Sequence, residues 1–547
     1  MSVVTATVVN AKAGKLDPVH ALLSIDIWRE VNRIPYANLV LLDGDAAARK
    51  FALSDKSFFA PGEEIEIKLR YESVTKDATL FKGKVVRHRV EAGNEGSLLR
   101  IELKDAAVKL TQPRRSAVFR DQSDADLVGQ LLRAAGVAVG AIASTEPRHA
   151  EILQYECSDW DFIVSRADVN GLLAVVEDGK VSLRKVDLNQ QPKHHFDFGI
   201  SELYDFEFEL DASHQAKKVT SRGWSVADQK LSAPASAQDL SLQQGNLGGA
   251  KLAGALGFGD RVLTHPVPMA PKELQAWADA RMARSRLSML RGRVSMPGFA
   301  KLALLDMMKI DGVGKRFNGK TVVTGLCHRV DIEGWRTDVQ FGLSARAFCV
   351  EDDIRDAPAA GLLPAVGGLH IGIVDAYAAD PDKQMRVKLR LPSVGARGES
   401  VWARLASPDA GKDRGYSFRP EPGDEVVVGF FNQDPRQPVI LGALYSSKNT
   451  APPAIGDPTD KNRLKGIVTR GGTRILFNDA DKPSLSLETA AGNRIVLDDD
   501  KASIAISDQH GNAITMDKNG IELKSAKDLK LTAQGKVQIE GSAVDVQ

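Results

Sequence analysis

Residues 494–517 read RIVLDDDKASIAISDQHGNAITMD and contain three short segments in which two large apolar residues are separated by one residue. Charged and turn-forming residues lie between the segments, and the dipeptides Gly492-Asn493 and Gly511-Asn512 occur at the same phase. Alternation with a period of two predicts short strands that each have one apolar face.

The same pattern extends over residues 473–547. The step from one apolar pair to the next is ten, ten, nine, ten, seven, eight, eight and seven residues. A strand of this length cannot bury its apolar face alone, so such repeats stack on copies of themselves. We therefore expect a β-solenoid or an intertwined β-helix in which every pair forms a strand. The pairs are Ile475/Phe477, Leu485/Leu487, Ile495/Leu497, Ile504/Ile506, Ile514/Met516, Ile521/Leu523, Leu529/Leu531, Val537/Ile539 and Val544/Val546.

The composition limits the classes of partner. The chain has 547 residues, which exceeds what one hydrophobic core supports, so we expect several domains. Its 72 basic and 71 acidic side chains nearly cancel, so we expect no nucleic-acid partner.

The first residues lack a basic segment followed by an apolar core, so we expect no Sec signal peptide. Three widely spaced cysteines favour reduced thiols in a protein made in the cytoplasm: Cys157, Cys327 and Cys349.

Residues 1–350 are predicted to form strands with a few helices. Ser123, with Asp126 three residues later, and Ser158 are candidate helix N-caps. A further helix is expected from Lys272 to about Leu290. Residues 232–259 are rich in Ala, Ser, Gln and Gly, which predicts a long loop or a mobile arm.

Residues 369–446 are predicted to form a small barrel of the OB type. Five strands are expected at residues 370–374, 385–391, 400–405, 425–431 and 439–443, with Pro- and Gly-containing turns between them. Pro-containing linkers are expected on both sides, at residues 351–368 and 447–464. The repeat domain then covers residues 465–547.

Three sequence motifs could indicate phosphate or metal binding, but each lacks the neighbouring structure or the spacing that such binding needs. Residues 314–321 match the spacing of a phosphate-binding loop, but a strand pattern follows instead of a helix. His194 and His195 would point to opposite faces of a strand. Asp498-Asp499-Asp500 lacks the spacing of a calcium loop and is typical of a solvated turn. We therefore predict no catalytic, cofactor-binding or metal-binding residue, no cofactor and no enzyme activity.

Motifs from all parts of the chain resemble one family. They are FRDQS at 119–123, YECSDWDFIVSR at 155–166, FNGKTVVT at 317–324 with His328, LHIGIV at 369–374, PGDEVVVGF at 422–430 and DPRQPVILG at 434–442. Together they resemble the VgrG family, the trimeric spikes of type VI secretion, and related spike proteins of extracellular contractile injection systems and phage tails.

The resemblance implies a mainly β fold with some α. Its parts would be a hub of two β-barrel-like domains with helices, an OB-fold barrel and an intertwined triple-stranded β-helix needle. It implies a homotrimeric spike that punctures a membrane without catalysis. The alternatives are a phage tail hub and spike, a cell-wall hydrolase, or an adhesin with a β-solenoid stalk. We expect no hydrolase domain before the needle and no toxin after it.

The resemblance also implies partners. These are the inner-tube protein at the hub, baseplate proteins, possible effector cargo and, transiently, the target membrane, after assembly in the bacterial cytoplasm and secretion with the particle. The last strand would leave unpaired edges at the tip, so we expect a PAAR-like tip protein there. The tip-binding residues would be Val544, Asp545, Val546 and Gln547. The trimer core would contain Ile495, Leu497, Ile504, Ile506, Ile514, Met516, Ile521, Leu523, Leu529, Leu531, Val537 and Ile539.

Overall fold

The computed structural model describes residues 3–94, 96–352, 354–394, 399–456 and 461–547. The chain divides into two compact units, Met1–Asp356 and Ala357–Gln547, and each is described by itself. Parts of the two predicted linkers, residue 353 and residues 457–460, lie outside the described residues.

The first unit begins with a group of antiparallel strands that pair in the order β3-β4-β7-β6-β5-β1-β2. Alternate side chains point inward, so Ile65, Ile67 and Leu69 of one strand are fully buried. The strands are β1 (Val4–Asn10), β2 (Gly14–Lys15), β3 (Leu22–Glu30), β4 (Tyr36–Leu42), β5 (Glu64–Tyr71), β6 (Ala78–Gly93) and β7 (Gly96–Lys104).

Helices and short sheets follow, around a second core. The predicted caps are confirmed: Ser123 and Asp126 form a reciprocal capping box, and the Ser158 side chain accepts a hydrogen bond from the Asp161 amide. Trp160 and Ile163 lie in this core. The elements are β8 (Arg115–Gln122), α1 (Asp124–Ala134), β9 (Ala138–Ile142), β10 (His149–Cys157), α2 (Asp159–Val169), β11 (Leu173–Glu177) and β12 (Lys180–Arg184).

The rest of this unit adds a second group of strands to the same sheet. Strand β21 pairs with β3, so the two groups form one continuous thirteen-stranded sheet over two apolar cores. The elements are β13 (His194–Asp197), β14 (Asp205–Leu210), β15 (Val219–Ser225), β16 (Lys230–Leu231), β17 (Ala235–Ser236), α3 (Gly249–Ala255), β18 (Arg261–His265), α4 (Pro271–Leu287), β19 (Leu290–Pro297), β20 (Met307–Asp311), β21 (Gly319–Asp331) and β22 (Gly334–Phe341).

Residues 232–259 differ from the predicted loop. They contain the short strand β17 and the helix α3, and Gln244 forms a β-bridge with Gly319. At Gly319, φ is +142°, and a Cβ atom would lie 2.2 Å from the Gln243 carbonyl oxygen. Glycine at position 319 of β21 therefore allows the backbone of residues 243–244 to pack closely, and the strand and helix within residues 232–259 differ from the predicted long loop or mobile arm.

The second unit begins with a closed five-stranded barrel in the order β23-β24-β25-β29-β28. Val374, Leu389, Val426, Val428 and Ile440 fill its interior. The strands are β23 (His370–Val374), β24 (Val387–Arg390), β25 (Val401–Leu405), β26 (Ala410–Gly411), β27 (Arg414–Gly415), β28 (Glu425–Phe430) and β29 (Pro438–Ala443).

Seven short strands follow as an antiparallel meander in which each strand pairs with the next. The strands are β30 (Leu464–Val468), β31 (Arg474–Asn478), β32 (Ser484–Glu488), β33 (Arg494–Asp498), β34 (Ser503–Ser507), β35 (Ala513–Asp517) and β36 (Gly520–Lys524). The mainly β fold class with an OB-type barrel is thus confirmed.

One expectation fails in the last part of the chain. Residues 525–547 form no strand, although three apolar pairs lie there: Leu529/Leu531, Val537/Ile539 and Val544/Val546. A strand needs a hydrogen-bonded neighbour. No described strand pairs with residues 525–547, so these apolar pairs have no β-sheet partner within one chain.

Candidate assembly surface

The meander places its apolar side chains in two columns on one face. Directly paired positions connect Ile467, Ile475, Leu487, Ile495, Ile506, Ile514 and Leu523 in the first column. The second column contains Phe477, Leu485, Leu497, Ile504, Met516 and Ile521. We call these residues the apolar columns. The sequence analysis did not predict Ile467. The second-column position of the same strand, β30, is occupied by Lys465, so this strand contains no apolar pair.

The apolar columns are uncovered within one chain. Most of their side chains in the middle strands are 38% (Leu487) to 44% (Phe477) exposed, and Ile475, Leu485 and Ile514 are half-buried, whereas Leu389 and Val426 in the neighbouring barrel are fully buried. A contiguous apolar strip of this kind marks an interaction surface. Eight of the predicted trimer-core residues, from Ile495 to Leu523, lie in the apolar columns; whether they form a trimer core stays a prediction.

The opposite face of the meander carries polar and apolar side chains, including Arg474, Glu488 and Val496. Glu488 is nearly buried there. Its carboxylate accepts a hydrogen bond from Arg474 on β31 (Nε–Oε2, 2.6 Å) and forms an ion pair with Arg494 on β33 (Nε–Oε1, 2.6 Å). Two guanidinium groups thus clamp one carboxylate across three strands. The charge of Glu488 is therefore compensated within one chain.

The turns explain the residues that recur between the strands. Gly492 and Gly511 both have φ near +91°, a conformation that favours glycine. Hydrogen bonds from Asn512 lower the pKa of Asp508 and keep this turn carboxylate ionised. Asp498 ends β33 and its carboxylate accepts a hydrogen bond from the Asp500 amide (3.0 Å), and Lys482 Nζ lies 2.7 Å from Asp500 Oδ1. Asp499 and Asp500 therefore lie in the turn between β33 and β34.

The predicted tip residues lie at the exposed end of the described chain. Val544 and Val546 are 59% and 87% exposed, and no strand includes them. The structure neither brings the tip residues together nor places them against another element. Their role in binding a tip protein stays a prediction.

The motifs set aside in the sequence have structural explanations. The segment at 314–321 runs into β21, so a strand and not a helix follows it. His195 lies 2.6 Å from Asp311, whereas His194 packs edge-on against Phe299. Burial lowers the pKa of His328 to about 3, so this histidine is neutral and hydrogen-bonds Thr337.

The described ranges of the chain contain no group of three or more His, Cys, Asp or Glu side chains arranged to hold a metal ion. Within the same ranges, every helix is too short or too polar to cross a membrane.

Three family models match the chain. Residues 1–331 match the Alg8 N-terminal domain, and residues 370–445 match the type VI secretion system/phage-baseplate injector OB domain. Residues 484–547 match the phage baseplate V C-terminal trimerisation domain. The last match covers five of the meander strands and the whole segment that follows them.

The chain is similar to curated spike proteins. It is 23% identical over 412 residues to the type VI secretion system spike protein VgrG1b of Pseudomonas aeruginosa, covering 68% of this chain and 52% of the relative. It is 35% identical over 115 residues to the actin cross-linking toxin VgrG1 of Vibrio cholerae, covering 20% of this chain and 10% of the relative. The chain thus spans about half the length of the first relative and far less of the second.

Among solved structures, a tail protein from Neisseria meningitidis aligns with a TM-score of 0.45 at 13% identity, over 63% of this chain and 98% of that one. A tail protein of prophage MuSo2 from Shewanella oneidensis gives a TM-score of 0.45 at 10% identity, over 62% and 98%.

Proposed function

This chain belongs to the Alg8 N-terminal domain family and is a VgrG-family spike protein, and we propose that it forms the homotrimeric, membrane-puncturing spike of a bacterial contractile injection system. In this role it acts as a structural body. It transmits force from contraction to a target membrane.

One observation carries the proposal: the apolar columns are uncovered in a strand segment that overlaps the match to a trimerisation domain. Three copies can bring their columns together around a common axis, with the opposite faces outward. Each further covered Ile or Leu side chain then contributes about 1 kcal/mol, because roughly half of its surface is still exposed in one chain. Hydrophobic burial therefore favours the assembly.

The proposed partners follow the order of the chain. The hub formed by the first unit attaches to the inner-tube protein and the baseplate, and the meander with residues 525–547 forms the needle. A PAAR-like tip protein covers the end at Val544–Gln547, and effectors travel with the spike. Assembly takes place in the bacterial cytoplasm, and the spike leaves with the particle.

The oligomeric mass in solution tests the proposal. Light scattering of the purified full chain at about micromolar concentration should give three times the chain mass of 59.1 kDa. A monomer under these conditions would contradict the central claim.

A second candidate is the hub and spike of a phage tail. The family description of residues 370–445 names both type VI secretion and phage baseplates, so it favours both equally. Neighbouring genes separate the two: sheath, tube and ATPase genes without capsid genes support a secretion particle.

We further propose that the spike has no enzyme activity. The relative that is named as a toxin matches only 20% of this chain and 10% of its own length. Incubating the trimer with purified peptidoglycan should release no soluble fragments. Release that depends on protein concentration would instead support the hydrolase alternative.

A further inference from the structure

The closed barrel of the second unit has β24 and β25 as the second and third of its five strands. In OB folds the outer face of these two strands, with the loops that join strands 1–2 and 4–5, is where oligosaccharides and oligonucleotides bind. The corresponding loops here are residues 375–386 and 431–437. The side chains on this face therefore decide whether the barrel has a ligand-binding site.

The register of the two strands shows which side chains point outward. Lys388 and Trp402 are directly paired, and their neighbours on both strands point into the barrel. By the same alternation, Arg390 on β24 and Arg404 on β25 lie on the outer face with them. The neighbours that are buried in the barrel interior are Val387, Leu389 and Ala403.

Three cations on this face have no acidic partner. Across the part of the chain that the structure describes, Lys388, Arg390 and Arg404 make no ion pair, whereas Arg386, just before β24, is paired with Asp380 (2.7 Å). Uncompensated ammonium and guanidinium groups are complemented by anionic groups of a ligand. The outer face of β24 and β25 therefore favours an anion.

The positive charge is local to this face. Residues 370–445 contain ten basic and ten acidic side chains, so the barrel as a whole is neutral. A hydrogen bond from Ser400 lowers the pKa of Asp375, and the nearby charges of Arg390 and Lys388 lower it further, so this carboxylate offsets part of the positive charge. Single-stranded nucleic acid needs a long basic track on a strongly basic domain. A neutral barrel with one small basic face instead favours a short anionic ligand.

Two aromatic rings lie among these cations. Lys388 Nζ lies 5.2 Å from the centre of the Trp402 ring, and Arg404 Cζ lies 6.0 Å from the centre of the Phe431 ring. Phe431 is 49% exposed, and Trp402 is partly exposed. Aromatic rings offer flat apolar surfaces, and the C–H face of a sugar ring is complementary to such a surface. We call Lys388, Arg390, Trp402, Arg404 and Phe431 the basic face.

The spacing of the cations favours single charges that repeat along a ligand. Lys388 and Arg390 are two positions apart on one strand, which separates their Cα atoms by about 6.6 Å. A phosphate site instead converges several donors, including backbone amides, on one point. Cations at separate positions suit carboxylates that each bind one ammonium or guanidinium group. The barrel is closed, so it offers an acidic peptide no free strand edge.

We propose that the basic face binds a short acidic oligosaccharide whose sugar units carry carboxylates. The carboxylates bind Lys388, Arg390 and Arg404, and sugar rings stack on Trp402 and Phe431. This site adds carbohydrate recognition to a chain that otherwise acts as a structural body, and it does not depend on the puncturing role.

Fluorescence anisotropy with the purified full chain tests the proposal. The probe is fluorescein-labelled hexagalacturonate. It should bind, and Lys388→Gln/Arg404→Gln should raise the dissociation constant at least about tenfold, because two charge-assisted contacts are lost. Phe431→Ser should raise it at least about threefold through the lost stacking surface. The matched control is Lys412→Gln/Arg414→Gln, which removes the same charge from the β26–β27 hairpin and should leave the affinity unchanged.

Four results would overturn the proposal. The first is absence of binding at about millimolar concentration. The second is equal affinity of the wild type and the charge variant, once circular dichroism shows that both fold; if the charge variant does not fold, equal affinity of Phe431→Ser has the same meaning. The third is competition by neutral maltohexaose as strong as that by unlabelled hexagalacturonate. The fourth is tighter binding of single-stranded oligothymidine or of a polyglutamate peptide. None of these results affects the trimeric spike, because its test is the oligomeric mass.

Discussion

At the scale of single residues, one buried ionic cluster joins the helices of the first unit. Arg166 of α2 donates to both carboxylate oxygens of Asp124 on α1 (2.7 and 3.0 Å) and to Glu273 on α4 (3.1 Å). Asn170 donates a further hydrogen bond to Asp124 (2.8 Å). Partners so far apart in sequence could not be matched from the sequence, because no local pattern connects them.

The variant Asp124→Asn tests this cluster. It should destabilise the first unit by about 3 kcal/mol, because it leaves the buried Arg166 charge poorly compensated. Thermal unfolding followed by tryptophan fluorescence would show the loss as a lower melting temperature. Asp55→Asn is the control, since Asp55 is exposed and its side chain makes no hydrogen bond or ion pair within the described ranges. Equal melting temperatures for Asp124→Asn and wild type would contradict the assigned role.

The stability difference between the wild type and Asp124→Asn should depend on pH. Burial would raise the pKa of Asp124, but the hydrogen bonds and charge of Arg166 outweigh it, so the pKa lies below its ordinary value. The stabilisation is thus fully present above about pH 4 and is lost as the pH falls through the lower folded-state pKa. The difference in melting temperature between wild type and Asp124→Asn should therefore shrink below about pH 4. A constant difference down to about pH 2 would contradict this.

At the scale of elements, the meander separates its two faces residue by residue. Ile495 lies in an apolar column, and Val496 lies on the opposite face between Ser486 and Ala505. Ile495→Lys should dissociate the trimer or lower its melting temperature strongly, because it places three charges in an apolar interior at a cost of several kcal/mol per chain. Val496→Lys should have little effect. Light scattering of both variants checks this, and equal damage would show that the face is wrongly assigned.

The end of the chain permits a separate test. Deleting residues 541–547 should abolish binding of a PAAR-like tip protein while the trimer persists, because the apolar columns lie before this segment. A co-purification experiment with the tip protein measures the loss. A truncated spike that still binds the tip protein would contradict the proposed role of residues 544–547.

The elements also show where sequence reasoning succeeded and failed. The five barrel strands were predicted because Pro-Gly and Asp-Pro turns mark their ends, and both helix caps were predicted because Ser123 and Ser158 satisfy local amides. The strands expected after Leu523 are absent because their pairing partners do not lie in the same stretch of chain. The strand and helix within residues 232–259 were missed because packing, rather than local composition, determines them: Gln275 of α4 donates to the Ser236 carbonyl, and Gln244 bridges to Gly319.

At the scale of the whole molecule, folding of the needle should depend on assembly. In a single chain, ordering the needle costs conformational entropy of about 1–2 kcal/mol per residue, and the apolar columns stay uncovered. Dilution should therefore reduce trimer mass in native mass spectrometry and needle strand content in circular dichroism together. Persistence of the full strand content in a monomer would show that the meander is stable alone.

The meander described above also has a mechanical consequence. Its strands follow one another from β30 to β36, so the hydrogen bonds between them act in series along that direction. Compression presses neighbouring strands together and is resisted by the contacts of every layer. Under tension the strand pairs separate one after another, and each step breaks only the few hydrogen bonds between two adjacent strands. Such a sheet withstands pushing far better than pulling.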